Sequence, residues 1–239
     1  MIEARLPRPL PFDPSVLAER FGTPLYVYDL DAVAARVRTL REHLPDRFVL
    51  AYAVKANPAL AVVARIGGLG VGMDVASAGE LATVLRAGVS PDEIVFTGPG
   101  KRDDELLAAL QARIRAVTVE SLGELHRLET LASARGQVMP VLVRAAITGP
   151  REGRRIIGGP GARKFGMRLP DVRRAARLAA RSSSLELLGL HAFGASNVRD
   201  GGTLVRHIRR TVELGRDVAA GAGVPLRLVD VGGGLGIPY

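Results

Sequence analysis

Short runs of β-branched and other apolar residues alternate along this chain with longer stretches rich in Ala, Leu and Arg, and that alternation restricts the fold more than any other feature. A first strand is expected at 25–28, after the Gly22-Thr23-Pro24 turn, and strand patterns recur at 48–54, 71–75, 94–97, 116–119, 138–143, 187–192 and 227–231. Helical patterns lie between them at 59–66, 78–87, 103–111, 122–134, 171–181 and 203–220. One more helix is expected from an Asp31 cap to about Leu44, where Pro45 stops it. Strand–helix–strand order repeated this often means parallel neighbours, because parallel strands need crossover connections. An open doubly wound sheet and a (β/α)8 barrel both satisfy it. From residue 48 onward the pattern holds seven strands, one fewer than a closed barrel requires. No internal repeat or low-complexity linker is visible, and 149–163 reads as a mobile Gly/Arg-rich loop.

Composition narrows the function classes. The 239 residues, 47% apolar and 24% charged, suffice for one large domain or two small ones with a proper core. No apolar run approaches the length of a membrane span, and the start, with Pro7, Pro9, Pro11 and Pro14, lacks the apolar stretch of a secretory signal. With no cysteine there is neither a disulfide framework nor a thiolate metal site, so a cytoplasmic enzyme is expected. The net charge of +9 suggests nucleic acid, but the arginines are scattered at spacings that suit solvated helix faces, and tryptophan is absent. Three lysines against thirty arginines read as compositional bias, so neither a nucleic acid nor a membrane is expected as a partner.

Four stretches carry chemistry. In Ala51-Tyr52-Ala53-Val54-Lys55-Ala56-Asn57 an apolar strand ends in a lysine, followed by the turn-forming Asn57-Pro58. Barrel folds place catalytic groups at that end of a strand, and a partly desolvated amine there can attack an aldehyde. The plainer alternative is a strand-end lysine reaching for water. In Asp230-Val231-Gly232-Gly233-Gly234-Leu235-Gly236 a strand runs into glycines whose N–H groups can close on a phosphate without Cβ obstruction. A dinucleotide fingerprint starting at Gly232 would need glycine where Ile237 stands. Gly189-Leu190-His191-Ala192-Phe193-Gly194-Ala195-Ser196-Asn197 has the same form, with Ser196 able to donate to a phosphate and an aromatic able to stack on a flat ring. Met73-Asp74-Val75-Ala76-Ser77-Ala78-Gly79-Glu80 contains a capping box, which explains Ser77 and Glu80 but not a carboxylate at Asp74 inside a buried strand.

Taken in order, Tyr52-Ala53-Val54-Lys55-Ala56-Asn57, Asp74-Val75-Ala76-Ser77 with Gly79-Glu80, Phe96-Thr97-Gly98-Pro99-Gly100-Lys101, Lys164-Phe165-Gly166-Met167 and Gly232-Gly233-Gly234-Leu235-Gly236 resemble the diaminopimelate/ornithine decarboxylase family. The resemblance runs from about Gly22 to Tyr239. It implies a pyridoxal 5'-phosphate-binding (β/α)8 barrel joined to a β-rich domain and working as a homodimer on an amino acid. Residues 1–30 would then be an N-terminal segment whose strand belongs to the β domain, and 31–239 a barrel truncated after its seventh strand.

Residue by residue, the resemblance implies that Lys55 carries the cofactor as an internal aldimine, that Ser196, Gly233 and Gly234 bind its phosphate, and that Asp74, Glu80 and Arg144 line its site. Phe193 falls where the commoner pattern has a ring-stacking histidine, with His191 two residues earlier. Phenylalanine there resembles a subgroup tied to secondary metabolism and to polysaccharide or carrier-protein pathways. Arg144-Ala145-Ala146 also lacks the usual Asn-Pro. The family's pyridine-nitrogen acid, its catalytic cysteine and its cofactor-contacting tyrosine correspond to positions past Tyr239, so a fragment is expected, weak or inactive alone. An amino-acid racemase on the same barrel and a non-catalytic, cofactor-binding regulatory relative are the alternative readings. The substrate stays open among diaminopimelate, ornithine, lysine, arginine and a carrier-tethered amino acid.

Overall fold

The computed structural model describes residues 11–147, 165–194 and 196–237. Seven parallel strands pair in chain order: β1 (Ala51–Ala53), β2 (Gly72–Val75), β3 (Ile94–Phe96), β4 (Ala116–Val119), β5 (Met139–Arg144), β6 (Leu185–His191) and β7 (Leu228–Asp230). Helices α3 (Leu60–Gly67), α4 (Ala78–Arg86), α5 (Asp103–Ala112), α6 (Leu122–Ser133), α7 (Leu169–Arg181) and α8 (Gly201–Ala222) make the crossovers. Two further helices, α1 (Pro14–Phe21) and α2 (Leu30–His43), precede the sheet. The seven strands that the alternation predicts form an incomplete (β/α) barrel, the one of its two architectures that the family resemblance implies. Among the described residues no helix is long and apolar enough to cross a membrane.

Strand alternation divides the side chains between two faces. Met73 and Val75, Ile94 and Phe96, Val117 and Val119, Val141 and Val143, and Leu190 and Ala192 join the buried core under the helices. The residues between and just after them, Asp74, Thr97, Thr118, Glu120, Arg144 and His191, therefore face the other side. Phe96, fully buried, anchors the core at the centre of the sheet, where truncation to Ala would cost about 3–5 kcal/mol.

Several expectations need correction. The 25–28 stretch forms no strand, and Tyr26 is 86% exposed. A strand needs a ladder partner, and among the described residues none lies beside it. The cap of α2 is Asp29, not Asp31: Asp29 Oδ1 accepts from the N–H groups of Asp31 and Ala32 at 2.9 and 3.0 Å. Asp31 sits in the first turn instead, where its charge meets Arg65 at 3.0 Å. The 48–54 strand contracts to Ala51–Ala53, because Val54–Ala56 turns into a 3-10 helix before Asn57-Pro58. The helix α1, begun by an Asp13 cap and Pro14, was not expected. The 149–163 loop and Lys164 lie outside the described residues.

Gly189 marks the tightest approach in the sheet. A Cβ there would stand 2.0 Å from the Leu228 carbonyl oxygen and 2.8 Å from Leu226 Cδ1, so only glycine lets β7 pair with β6. Gly189→Ala is expected to destabilise the chain by about 3 kcal/mol, roughly 10 °C in melting temperature for a chain this size. A melt followed by circular dichroism checks it, and an unchanged midpoint would contradict this close pairing.

Candidate active site

All strand C-termini meet along one rim, and the polar residues of the inner face collect there. Lys55 sits in the 3-10 turn after β1. Val54 beside it is fully buried, Tyr52 donates from its hydroxyl to the Asn57 carbonyl at 3.2 Å, and Asn57 Oδ1 accepts from Ala59 N–H at 3.0 Å. These contacts fix the turn while leaving Lys55 exposed, which corrects the expectation of a partly desolvated amine. Ala53 pairs with Asp74, so the turn that carries Lys55 begins directly beyond that carboxylate.

Asp74 is strongly perturbed by its place on the rim. Burial pushes its carboxyl up to about 6, opposed by the Thr97 hydroxyl and by the charges of Lys55 and Arg144, while Asp230 adds to the rise. Its Oδ1 is buried without a hydrogen-bond partner among the described residues. His191, on the opposite flank, is in the same position: Nδ1 is buried and unpartnered, and burial holds the imidazole below its ordinary value. His191 pairs with both Arg144 and Asp230 in the sheet, which brings those charges alongside it.

Arg144 makes a buried ion pair with Glu120, Nη1 to Oε1 at 2.5 Å, and the Phe165 ring covers its guanidinium with the centroid 5.1 Å away. Glu80 stands apart from this cluster. Its carboxylate accepts from Ala76 N–H at 2.7 Å and its own N–H donates to Ser77 Oγ at 3.2 Å, so the helix cap occupies it.

The second half of the rim is a pair of interlocked loops. Val198 N–H donates to the Gly234 carbonyl at 2.7 Å and Gly236 N–H to the Val198 carbonyl at 2.9 Å. Asn197, with φ +54°, turns its Oδ1 to accept from Ile237 N–H at 2.9 Å. Gly232 packs so closely under Phe193 that a Cβ would meet the ring at 2.8 Å, and its N–H donates to Asp230 Oδ1 at 2.8 Å. His207 of α8 braces the loop, donating from Nε2 to the Val231 carbonyl at 3.0 Å. The N–H groups of Gly233 and Gly234 and the Ser196 hydroxyl meet no acceptor among the described residues, and a Cβ at Gly233 would meet nothing within 4 Å. Open N–H donors on a glycine loop beside a hydroxyl suit a phosphate.

The rim thus offers an amine, an anion cradle, an aromatic face and two buried polar atoms awaiting partners. That donor set fits pyridoxal 5'-phosphate, which has an aldehyde, a phosphate and a flat ring with polar substituents. Sequence reasoning missed Glu120, Thr97, Thr118 and the part played by Asp230. Thr97 Oγ1 donates to Thr118 Oγ1 at 3.2 Å, a cross-strand pair that shows only once the register is known.

Known proteins resemble this chain in sequence and fold. The chain is 36% identical over 233 residues to the diaminopimelate decarboxylase of Neisseria meningitidis serogroup B, a match covering 93% of this chain and 54% of that protein. It is 32% identical over 226 residues to the L-glutamyl-acyl-carrier-protein decarboxylase of Niallia circulans, covering 94% of this chain and 53% of that one. The diaminopimelate decarboxylase of Helicobacter pylori, solved in complex with L-lysine, superposes with a TM-score of 0.86 at 30% identity, covering 93% of this chain and 57% of that one. The chain spans about half the length of the curated relatives it matches. Residues 30–239 match the pyridoxal binding domain of the pyridoxal-dependent decarboxylases, the chain belongs to that family, and the family's cofactor is pyridoxal 5'-phosphate.

Proposed function

We propose that this chain provides the cofactor-binding part of an amino-acid decarboxylase, with Lys55 as the amine that holds pyridoxal 5'-phosphate covalently. The observation that carries the reading is the convergence on one rim of Lys55, the open Gly233 and Gly234 N–H groups, and the unpartnered Asp74 Oδ1 and His191 Nδ1. When bound, the cofactor supplies an electron-withdrawing ring that takes up the charge left by a departing carboxylate. The protein's residues do the rest. Gly233, Gly234 and Ser196 hold the phosphate and so fix one end of the ring. Phe193 offers a flat face for stacking but, unlike histidine, no N–H to donate. Lys55 must shed its proton before it can bond to the cofactor, and Asp74, pushed up to about 6 by burial and paired in the sheet with Ala53, is the base assigned to take it. Arg144 brings a permanent positive charge against the inner face, steadied by Glu120.

The substrate reading follows the relatives. Those named diaminopimelate decarboxylases, and the L-lysine complex, support a diaminopimelate-, ornithine- or lysine-like amino acid. A carrier-tethered amino acid is the second reading, favoured by Phe193 and by the likeness to the Niallia circulans enzyme. We expect the 239-residue chain alone to bind cofactor weakly and turn over slowly, since β1 and β7 each pair on one side only among the described residues and the rim is open between them.

Two outcomes test this reading. Titration with pyridoxal phosphate, borohydride reduction and peptide mapping should place one adduct on Lys55, lost in Lys55→Ala. Lys101 should be spared, because its Nζ is buried and donates to the Gly98 and Thr118 carbonyls and to Glu124. Unsaturable labelling that ignores Lys55→Ala would sink the assignment. The second outcome concerns Asp74. Its folded-state value of about 6 lies above the ordinary 3.8, so ionising it costs stability as pH rises from about 4 to about 6. Urea unfolding of wild type and Asp74→Asn should therefore give a difference that moves in the variant's favour by about 2 kcal/mol between pH 4 and pH 7. A difference independent of pH would mean that Asp74 ionises in water.

A further inference from the structure

Two helix starts in this chain are built alike. β2 runs into Val75-Ala76-Ser77-Ala78-Gly79-Glu80-Leu81, and β4 into Val119-Glu120-Ser121-Leu122-Gly123-Glu124-Leu125. In each copy the serine hydroxyl accepts from the glutamate N–H, at 3.2 Å for Ser77 and 3.0 Å for Ser121. In each, too, the glutamate carboxylate accepts from the N–H of the residue before the serine, 2.7 Å at Ala76 and 3.2 Å at Glu120. The frame closes with alanine in one copy. The carboxylate of Glu120 is therefore not needed for the turn, and burying it unpaired would be costly.

That carboxylate, 2% exposed, makes two long-range contacts. Oε1 lies 2.5 Å from Arg144 Nη1, and Oε2 accepts from Gly166 N–H at 3.1 Å. Gly166 has φ +78°, and a Cβ there would come within 3.0 Å of backbone atoms of Arg144, Ala145 and Ala146. The returning segment is bridged to the end of β5, with Met167 N–H donating to the Arg144 carbonyl at 2.9 Å and Ala146 N–H to the Met167 carbonyl at 2.8 Å. It carries Phe165 onto the guanidinium. One carboxylate thus clamps a charged side chain and the segment that covers it.

We propose that Glu120 is a positioning residue of the cofactor site, setting Arg144 against the inner face and clipping Gly166 over it. The inference deepens the pyridoxal phosphate reading and rests on it. Arg144 acts electrostatically on both Asp74 and His191, and Glu120 offsets that charge at His191. Without Glu120 the guanidinium loses its hydrogen-bonded counter-ion and the Gly166 N–H loses its acceptor. Arg144 is then free to turn away from the rim.

A double-mutant cycle on the 239-residue chain tests this, with pyridoxal phosphate binding followed by absorbance and adducts on Lys55 counted after borohydride reduction. Glu120→Gln and Arg144→Gln should each raise the Kd by about tenfold, the scale of one charge-assisted hydrogen bond, and shift the absorbance maximum of the bound cofactor alike. The double variant should raise it by the same factor rather than by the product, because Glu120 acts through Arg144. Circular dichroism of the cofactor-free variants checks folding. Should Glu120→Gln fail to fold, Glu120→Asp keeps the charge but shortens the reach, and should weaken binding in the same direction. A folded Glu120 variant with wild-type affinity, or an effect that multiplies with that of Arg144→Gln, overturns the inference and leaves Lys55 standing. A wild-type chain with no saturable binding overturns both.

Discussion

Because seven strands run parallel in chain order, their C-terminal ends meet along one rim, and each position on the rim alternates between helix side and inner side. The helix side is satisfied by apolar residues such as Val75, Phe96, Val119 and Val143. That leaves the neighbouring positions free to be polar without weakening the core. Asp74, Thr97, Thr118, Glu120, Arg144 and His191 occupy them, although they come from five different strands or strand ends. Gly189 keeps the pattern intact at its far end by letting β7 approach β6.

Polar groups inside a sheet need partners, and this chain satisfies some of them fully and others not at all. Glu120 with Arg144, and Lys101 with Glu124 and two carbonyls, are complete networks that hold the ends of β4 and β5. Removing one member of such a pair exposes the full desolvation penalty of the other. Among the described residues Asp74 Oδ1 and His191 Nδ1 have no such partner, and both groups are shifted by burial toward their neutral forms. The contrast separates the paired scaffold from the residues proposed above to receive the cofactor. The open N–H groups of the glycine loop belong with the second class, at the opposite flank of the same rim.

Local patterns made much of this legible. Alternation predicts all seven strands that the sheet contains, and the strand-end lysine, the glycine run and the Ser196 hydroxyl stand out by residue type and setting. Where local signals compete, the sequence is ambiguous: Asp29 and Asp31 are both able to cap, and the helix begins two residues earlier than an Asp31 cap would place it. The 25–28 stretch has the composition of a strand, yet composition cannot supply a ladder partner. Glu80 and Glu120 show the same limit from the other side. Glu80 has the more conspicuous setting, but its carboxylate is spent on Ala76, whereas Glu120, one residue before a cap serine, reaches Arg144 and Gly166.

The sequence by itself determined the parallel architecture, the order of its elements and the residue types able to hold a phosphate and an aldehyde, because each rests on periodicity or on chemistry within a few neighbouring residues. Only the tertiary structure decided which polar residues share the rim, which are already paired, and which face inward with nothing to bond. Those outcomes depend on strand register and on contacts such as Arg144 to Glu120, 24 residues apart, and Glu120 to Gly166, 46 apart. No local pattern encodes such contacts, since they exist only once the strands have been set side by side.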